Sequence, residues 1–150
     1  MRYRTFPNTD VRVSEVGFGT WTVSTGWWGD YSDDQARDLI RAGLELGINY
    51  IDTADAYGNG RGESMLKPLL DERPGLIVGT KFGYDFYNNP ERPRGQRELP
   101  QDMSPKFIRF ACEQSLKRMG IDHIDIYQPH NPRVTTLMQD EHWDLSLIHI

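Results

Sequence analysis

Asn49-Tyr50-Ile51-Asp52-Thr53-Ala54-Asp55-Ala56-Tyr57-Gly58 is the stretch on which the reading of this chain turns. A short strand-like run, Asn49–Ile51, gives way at once to small and polar residues, as a strand does where it leaves a sheet for a loop. Two further runs end in the same manner. Leu76-Ile77-Val78-Gly79-Thr80-Lys81 closes on a lysine, and Ile124-Asp125-Ile126-Tyr127-Gln128-Pro129-His130-Asn131 on a histidine. Asp52, Tyr57, Lys81 and His130 are thereby delivered to the C-terminal ends of successive strands. In a parallel α/β barrel that is the face on which active sites are built.

Helical patterns separate the runs. Ser32 with Gln35 forms a capping box, followed by Ala36, Leu39, Ile40, Gly43 and Leu44 at helical spacing and by Gly47 as a C′ residue. A second helix is expected around Glu63–Glu72, distorted at Pro68, whose nitrogen carries no hydrogen. A third starts at Ser104-Pro105, carries Phe107, Ile108, Ala111, Leu116 and Met119 on its apolar stripe, and closes at Gly120. Upstream, Tyr3–Phe6 and Val11–Val13 flank a Pro7-Asn8-Thr9-Asp10 turn cluster and read as a small hairpin. Val16–Gly19 reads as a short strand, and the Gly- and Trp-rich stretch to Tyr31 as a long loop.

Alternation of strands and helices predicts a parallel sheet. The elements amount to about half of a (β/α)8 TIM barrel, an α/β fold with a typical length of ~250 residues. An open doubly wound sheet fits less well. Gly17-Phe18-Gly19-Thr20 has two glycines where the dinucleotide fingerprint has three, and no helix is expected directly after it.

The net charge of -5 comes without any run of Lys or Arg, which argues against nucleic acid as the main partner. An anionic cofactor needs only a local positive site and stays admissible. Cys112 is the single cysteine, so no internal disulfide can form and a reducing compartment is expected. No apolar run has membrane-spanning length, and Met1-Arg2-Tyr3-Arg4 leads into no signal-peptide core. A cytoplasmic protein is expected, with no membrane partner and no metal site. The oligomeric state is left open.

The last residues, Leu145-Ser146-Leu147-Ile148-His149-Ile150, are what CTGTCTCTTATACACATC encodes, a string that looks like a transposase adapter from sequencing libraries. Residues 145–150 are therefore expected to be a scar, and His149 is given no role. Residues 1–144 would then be the N-terminal part of a longer barrel. Half a core with open sheet edges is not expected to fold stably alone.

The four polar residues make chemical sense together. A carbonyl accepts hydride only if its oxygen is protonated or strongly polarised as charge develops. Tyr57 can supply the proton, and a nearby ammonium, Lys81, is expected to lower its pKa from the ordinary value of about 10. Asp52 would hold Lys81 in place, and His130 would orient the substrate oxygen. Trp21, Trp27, Trp28 and Tyr31 crowd the loop after the first barrel strand, where Trp27 and Trp28 are candidates to line a substrate pocket beside His130. Residues 84–103, with Tyr84, Phe86, Tyr87, Arg92, Arg94 and Arg97, read as a substrate-facing lid. Cys112 reads as a buried small hydrophobe.

Gly17-Phe18-Gly19-Thr20-Trp21, Ile51 through Gly58, Thr80-Lys81 and Gln128-Pro129-His130-Asn131-Pro132 together resemble the aldo/keto reductase family. The order and spacing of Asp52, Tyr57, Lys81 and His130 match that family's catalytic tetrad, and the hairpin resembles the plug beneath its barrel. The resemblance implies reversible reduction of an aldehyde or ketone to an alcohol with NADPH, NADH not being excluded. It implies Tyr57 as proton donor assisted by Lys81 and Asp52, with His130 orienting the carbonyl. It also implies that Gly19, Thr20, Trp21 and Asp52 lie at the nicotinamide end of the cofactor. The partner would be a small carbonyl or alcohol. Two other readings stand beside this one: a barrel lyase using Lys81 as a Schiff-base nucleophile, and a cofactor-sensing regulatory subunit of an ion channel.

Overall fold

The computed structural model describes residues 1–88 and 99–138. Two strands, β1 (Tyr3–Thr5) and β2 (Arg12–Ser14), form an antiparallel hairpin. Four more, β3 (Phe18–Gly19), β4 (Tyr50–Asp52), β5 (Ile77–Phe82) and β6 (Ile126–Pro129), form a parallel sheet in chain order. Gly19 stands opposite Asp52, Asp52 opposite Gly79, and Lys81 opposite Gln128. Successive strands lying side by side with helices between them are the βα repeat of the barrel.

Alternation along each strand sorts its side chains onto two faces. Ile51 and Val78 are buried with Ile40 and Leu44 of α2 (Asp33–Glu45) and with Leu66, Leu69 and Leu70 around α4 (Lys67–Glu72). Met119, at the end of α5 (Pro105–Met119), closes the same cluster. Phe82, Phe107, Ile108 and Ala111 form a second cluster beneath α5. The opposite face of the sheet carries Tyr50, whose ring crosses Gly17 and Gly79; a Cβ on either glycine would stand 2.6 Å from it. Small residues on the flanking strands thus make room for the aromatic between them.

The helix signals hold. Ser32 and Gln35 bond each other's backbone amides in both directions, and Gly47 leaves α2 at φ 92. Ser104 accepts from the Phe107 amide ahead of Pro105. The expected distortion at Pro68 is a division into α3 (Arg61–Ser64) and α4, because Pro68 cannot donate back to Ser64. Other expectations are corrected. Trp21 through Thr25 form a helix, α1, directly after Gly19-Thr20, where a loop was expected. Leu39 is 44% exposed, off the buried stripe of α2, and Leu116 and Cys112 are only half-buried. α6 (Val134–Leu137) follows β6, while residues 145–150 and Arg92, Arg94 and Arg97 lie outside the described residues.

Asn49 attaches the hairpin to the sheet. Its Oδ1 accepts from the Ser14 amide at 2.6 Å, and its Nδ2 donates to the Arg12 carbonyl at 2.9 Å. Asn49→Ala is expected to cost about 1–3 kcal/mol, the range for bonds whose partners are left partly buried. Amide exchange should accelerate first at Val13 and Ser14; unchanged exchange there would contradict the attachment.

Candidate active site

β4 ends at Asp52, but its pairing with β5 continues beyond the strand. The Thr53 amide donates to the Gly79 carbonyl at 2.8 Å and the Asp55 amide to the Lys81 carbonyl at 3.2 Å. These two bonds carry the chain over the end of β5 and set Tyr57 above Lys81. Gly58, at φ +59, then turns the chain where a Cβ would stand 2.3 Å from the Ser24 carbonyl oxygen. Only glycine tolerates both the conformation and the approach.

The structure brings the four expected residues together. Lys81 Nζ donates to both Asp52 carboxylate oxygens and to the Thr53 carbonyl, each at 2.8 Å, and lies 3.4 Å from the Tyr57 hydroxyl. The His130 ring stands edge-on to Tyr57, with 5.5 Å between centroids. Its place is fixed by its own amide, which donates to the Phe82 carbonyl at 2.8 Å.

One electrostatic expectation is corrected. An ammonium has three N–H bonds, and the shortest contacts of Lys81 go to Asp52 and Thr53. Tyr57 is therefore not shifted down by Lys81. Burial, reinforced by the negative charge of Asp52 and by Tyr84, pushes it up to about 12. His130 moves the opposite way, down to about 4, through burial and the charge of Lys81. At neutral pH the site thus holds a protonated phenol and an uncharged imidazole. The imidazole Nδ1 is buried with no hydrogen-bond partner among the described residues.

Trp21 is half-buried and meets Trp27 at a tilt and Trp28 edge-on, at centroid distances of 5.6 and 6.4 Å. Trp27 and Trp28 are 42% and 67% exposed. Gly19 is exposed and faces Asp52 across the ladder, and apart from its chain neighbours no atom of the described residues stands within 4 Å of where a Cβ would be. Thr20 is fully buried and its hydroxyl donates to Thr53 at 2.8 Å.

The expected lid divides. Tyr84 reaches the site, 4.7 Å from His130. Phe86 is buried, and Tyr87 packs against Phe107 and Phe110, so neither faces the tetrad as a lid would. Sequence reading also missed Arg61, which fastens the aromatic segment to the Tyr57 turn. Its Nη2 donates to the Tyr31 carbonyl, its Nη1 to that of Val23, and its Nε to Asp33. Its place at the start of an amphipathic segment carries no mark of this.

The strand order and the end of the sheet that carries these residues make the fold the first part of a (β/α)8 barrel. The aldo/keto reductase family model matches residues 15–145. The aldo-keto reductase YhdN of Bacillus subtilis is 35% identical over 135 residues, covering 88% of this chain and 38% of that protein. The NADH-specific methylglyoxal reductase of Escherichia coli is 37% identical over 128 residues, covering 81% and 39%. The holo form of an aldo-keto reductase from Bacillus halodurans superposes with a TM-score of 0.78 at 33% identity, covering 97% of this chain and 45% of that one. The chain belongs to the aldo/keto reductase family, a family of oxidoreductases, and spans about two fifths of the length of the curated relatives it matches. Among the described residues no helix is long and apolar enough to cross a membrane.

Buried titratable groups give stability a pH dependence. The folded pKa of His130 lies below its ordinary 6.5, so the unfolded chain takes up the proton first; its contribution is present above 6.5 and lost as pH falls toward about 4. Asp55, fully buried, is raised well above 3.8 by burial and by the charge of Glu63. Its burial therefore costs stability as pH rises above 3.8. Asp55→Asn is expected to raise the melting temperature of the full-length gene product at pH 7 and to have little effect at pH 4. An equal change at both values would contradict this.

Proposed function

We propose that the full-length protein reduces an aldehyde or ketone to an alcohol with NADPH, reversibly, and that Tyr57 is the proton donor. The observation that carries the reading is the joint geometry of Tyr57, Lys81, Asp52 and His130 at the C-terminal end of the sheet. The open ground beside Gly19, bordered by Asp52, fits the nicotinamide end of the cofactor, since a side chain there would fill it. Gly19, Trp21 and Asp52 would hold that end, with Thr20 supporting them from behind through Thr53. When bound, NADPH would supply the hydride for the carbonyl carbon.

The chain's own groups manage the oxygen. His130, uncharged, donates a ring N–H to the carbonyl oxygen and orients it. Tyr57 passes its hydroxyl proton to that oxygen as negative charge develops. A phenol at about 12 suffices, because the developing alkoxide is roughly as basic as hydroxide and so far more basic than a phenolate. Lys81, 3.4 Å away, steadies the resulting phenolate, and Asp52 holds Lys81 against Thr53. Trp27 and Trp28 would wall the substrate side with His130. The lyase reading is disfavoured by the same contacts, since an amine paired with both oxygens of Asp52 is a poor nucleophile. The channel-subunit reading is the alternative: a probable voltage-gated potassium channel subunit beta of Oryza sativa is 28% identical over 145 residues, and turnover of an aldehyde by the full-length protein separates the two readings.

In the full-length protein Tyr57→Phe is expected to lower kcat for an aromatic aldehyde by about 10²–10⁴-fold, the range for a positioned general acid. NADPH affinity, followed by fluorescence, should be unchanged, and NADH is run in parallel as the competing reductant. A Tyr57→Phe variant with wild-type turnover would refute the mechanism.

A further inference from the structure

Behind the sheet lies a charged cluster that the proposed reaction does not use. Glu63 is fully buried, and an unpaired carboxylate there would be costly. Both its oxygens are engaged: Oε1 accepts from the Thr80 hydroxyl at 2.5 Å and Oε2 from Arg118 Nε at 2.7 Å. Arg118 also donates through Nη2 to the Tyr87 hydroxyl at 2.8 Å and to Ser115 at 3.3 Å. Its side chain passes beneath Gly60, which sits at φ +90; a Cβ there would stand 2.9 Å from Arg118 Cδ.

The elements this cluster joins are those that carry the site. Glu63 belongs to α3, which begins just after the Tyr57 turn, and the Gly62 amide donates to the Tyr57 carbonyl at 2.9 Å. Thr80 immediately precedes Lys81 on β5, and strand alternation puts the two on opposite faces. Thr80 therefore bonds Glu63 from behind while Lys81 meets Asp52 in front. Gly60, under which Arg118 passes, lies in the turn itself.

We infer that Glu63 is a positioning residue: tied to Thr80 and Arg118, its carboxylate holds the Tyr57 turn against β5 and so sets the separation of Tyr57 and Lys81. The inference rests on the reductase reading for its catalytic consequence, though not for its geometry. The hydrogen bonds of Glu63 go to Thr80 and Arg118 and not to the tetrad side chains. It acts through the turn that carries Tyr57.

The test uses the full-length gene product. Thr80→Val keeps the shape and the strand preference and removes only the donor to Glu63. Expected is a fall in kcat for aldehyde reduction of about ten- to a hundredfold, as for a catalytic group displaced by about an ångström. KM should stay within about twofold, since the loss falls on the transition state. The Tyr57 titration, followed by ¹³Cζ tyrosine NMR, should move down from about 12 as the turn loosens. Thr80→Ser, which restores the hydroxyl, should rescue all three readouts. If Thr80→Val does not fold, Glu63→Asp shortens the clamp at constant charge, with the same changes expected. Wild-type kcat and an unmoved Tyr57 titration in a folded Thr80→Val or Glu63→Asp protein would overturn the inference. A wild-type protein without reductase activity would sink the functional reading instead, and the Tyr57 titration would still decide the clamp.

Discussion

Two backbone hydrogen bonds beyond the end of a strand hold this site together. The Thr53 and Asp55 amides continue the β4–β5 ladder onto the carbonyls of Gly79 and Lys81 after β4 has ended. Parallel pairing fixes where each residue of one strand stands against the next. Extending it into the turn gives the turn the precision of a sheet. Tyr57 comes to lie over Lys81 because its backbone is registered against the strand that carries Lys81. Gly58 packs the far side of the turn on the Ser24 carbonyl, and Arg61 binds that turn to α1 and Tyr31.

Within that frame the charges are arranged so that proton donor and cation meet without transferring a proton. Lys81 directs its shortest contacts to Asp52 and Thr53, and Tyr57 keeps its hydrogen. Burial, helped by the Lys81 charge, holds His130 in its uncharged form against the weaker pull of Asp52. The Asp52 carboxylate fixes the position of the ammonium. Separate reasoning about each pair predicts the opposite direction for Tyr57. The difference comes from burial, which penalises the phenolate, and from the negative charge of Asp52 beside it.

Much of this was legible because the signals are local. Ser32 with Gln35, Ser104 with Pro105, and Gly47 and Gly120 each mark a helix end through short-range chemistry. The tetrad was legible because its members fall at equivalent strand ends. What escaped depends on contacts between distant segments. Glu63 and Arg118 have the residue types of a solvated helix face, and only the packing of α3 on α5 shows that Glu63 is buried and that the half-buried Arg118 pairs with it. Trp21 through Thr25 escaped because the helix is short and its N-cap, Thr20, makes no side-chain capping bond, its hydroxyl being engaged with Thr53. Phe86 and Tyr87 sit in a loop by composition, and their inward packing is set by Arg118, whose guanidinium lies 5.6 and 5.4 Å from their ring centroids.

The central claim is that hydride and proton arrive on the two atoms of one carbonyl at this site. The most direct measurement follows the hydride itself, with the full-length protein supplied with NADPH deuterated at the transferable nicotinamide position and with an aromatic aldehyde. Mass spectrometry of the alcohol should show one deuterium on the carbinol carbon, and in deuterated water with unlabelled cofactor none should appear on that carbon. An alcohol whose carbinol hydrogen comes from solvent, or a reaction that consumes aldehyde without producing an alcohol, would contradict the account.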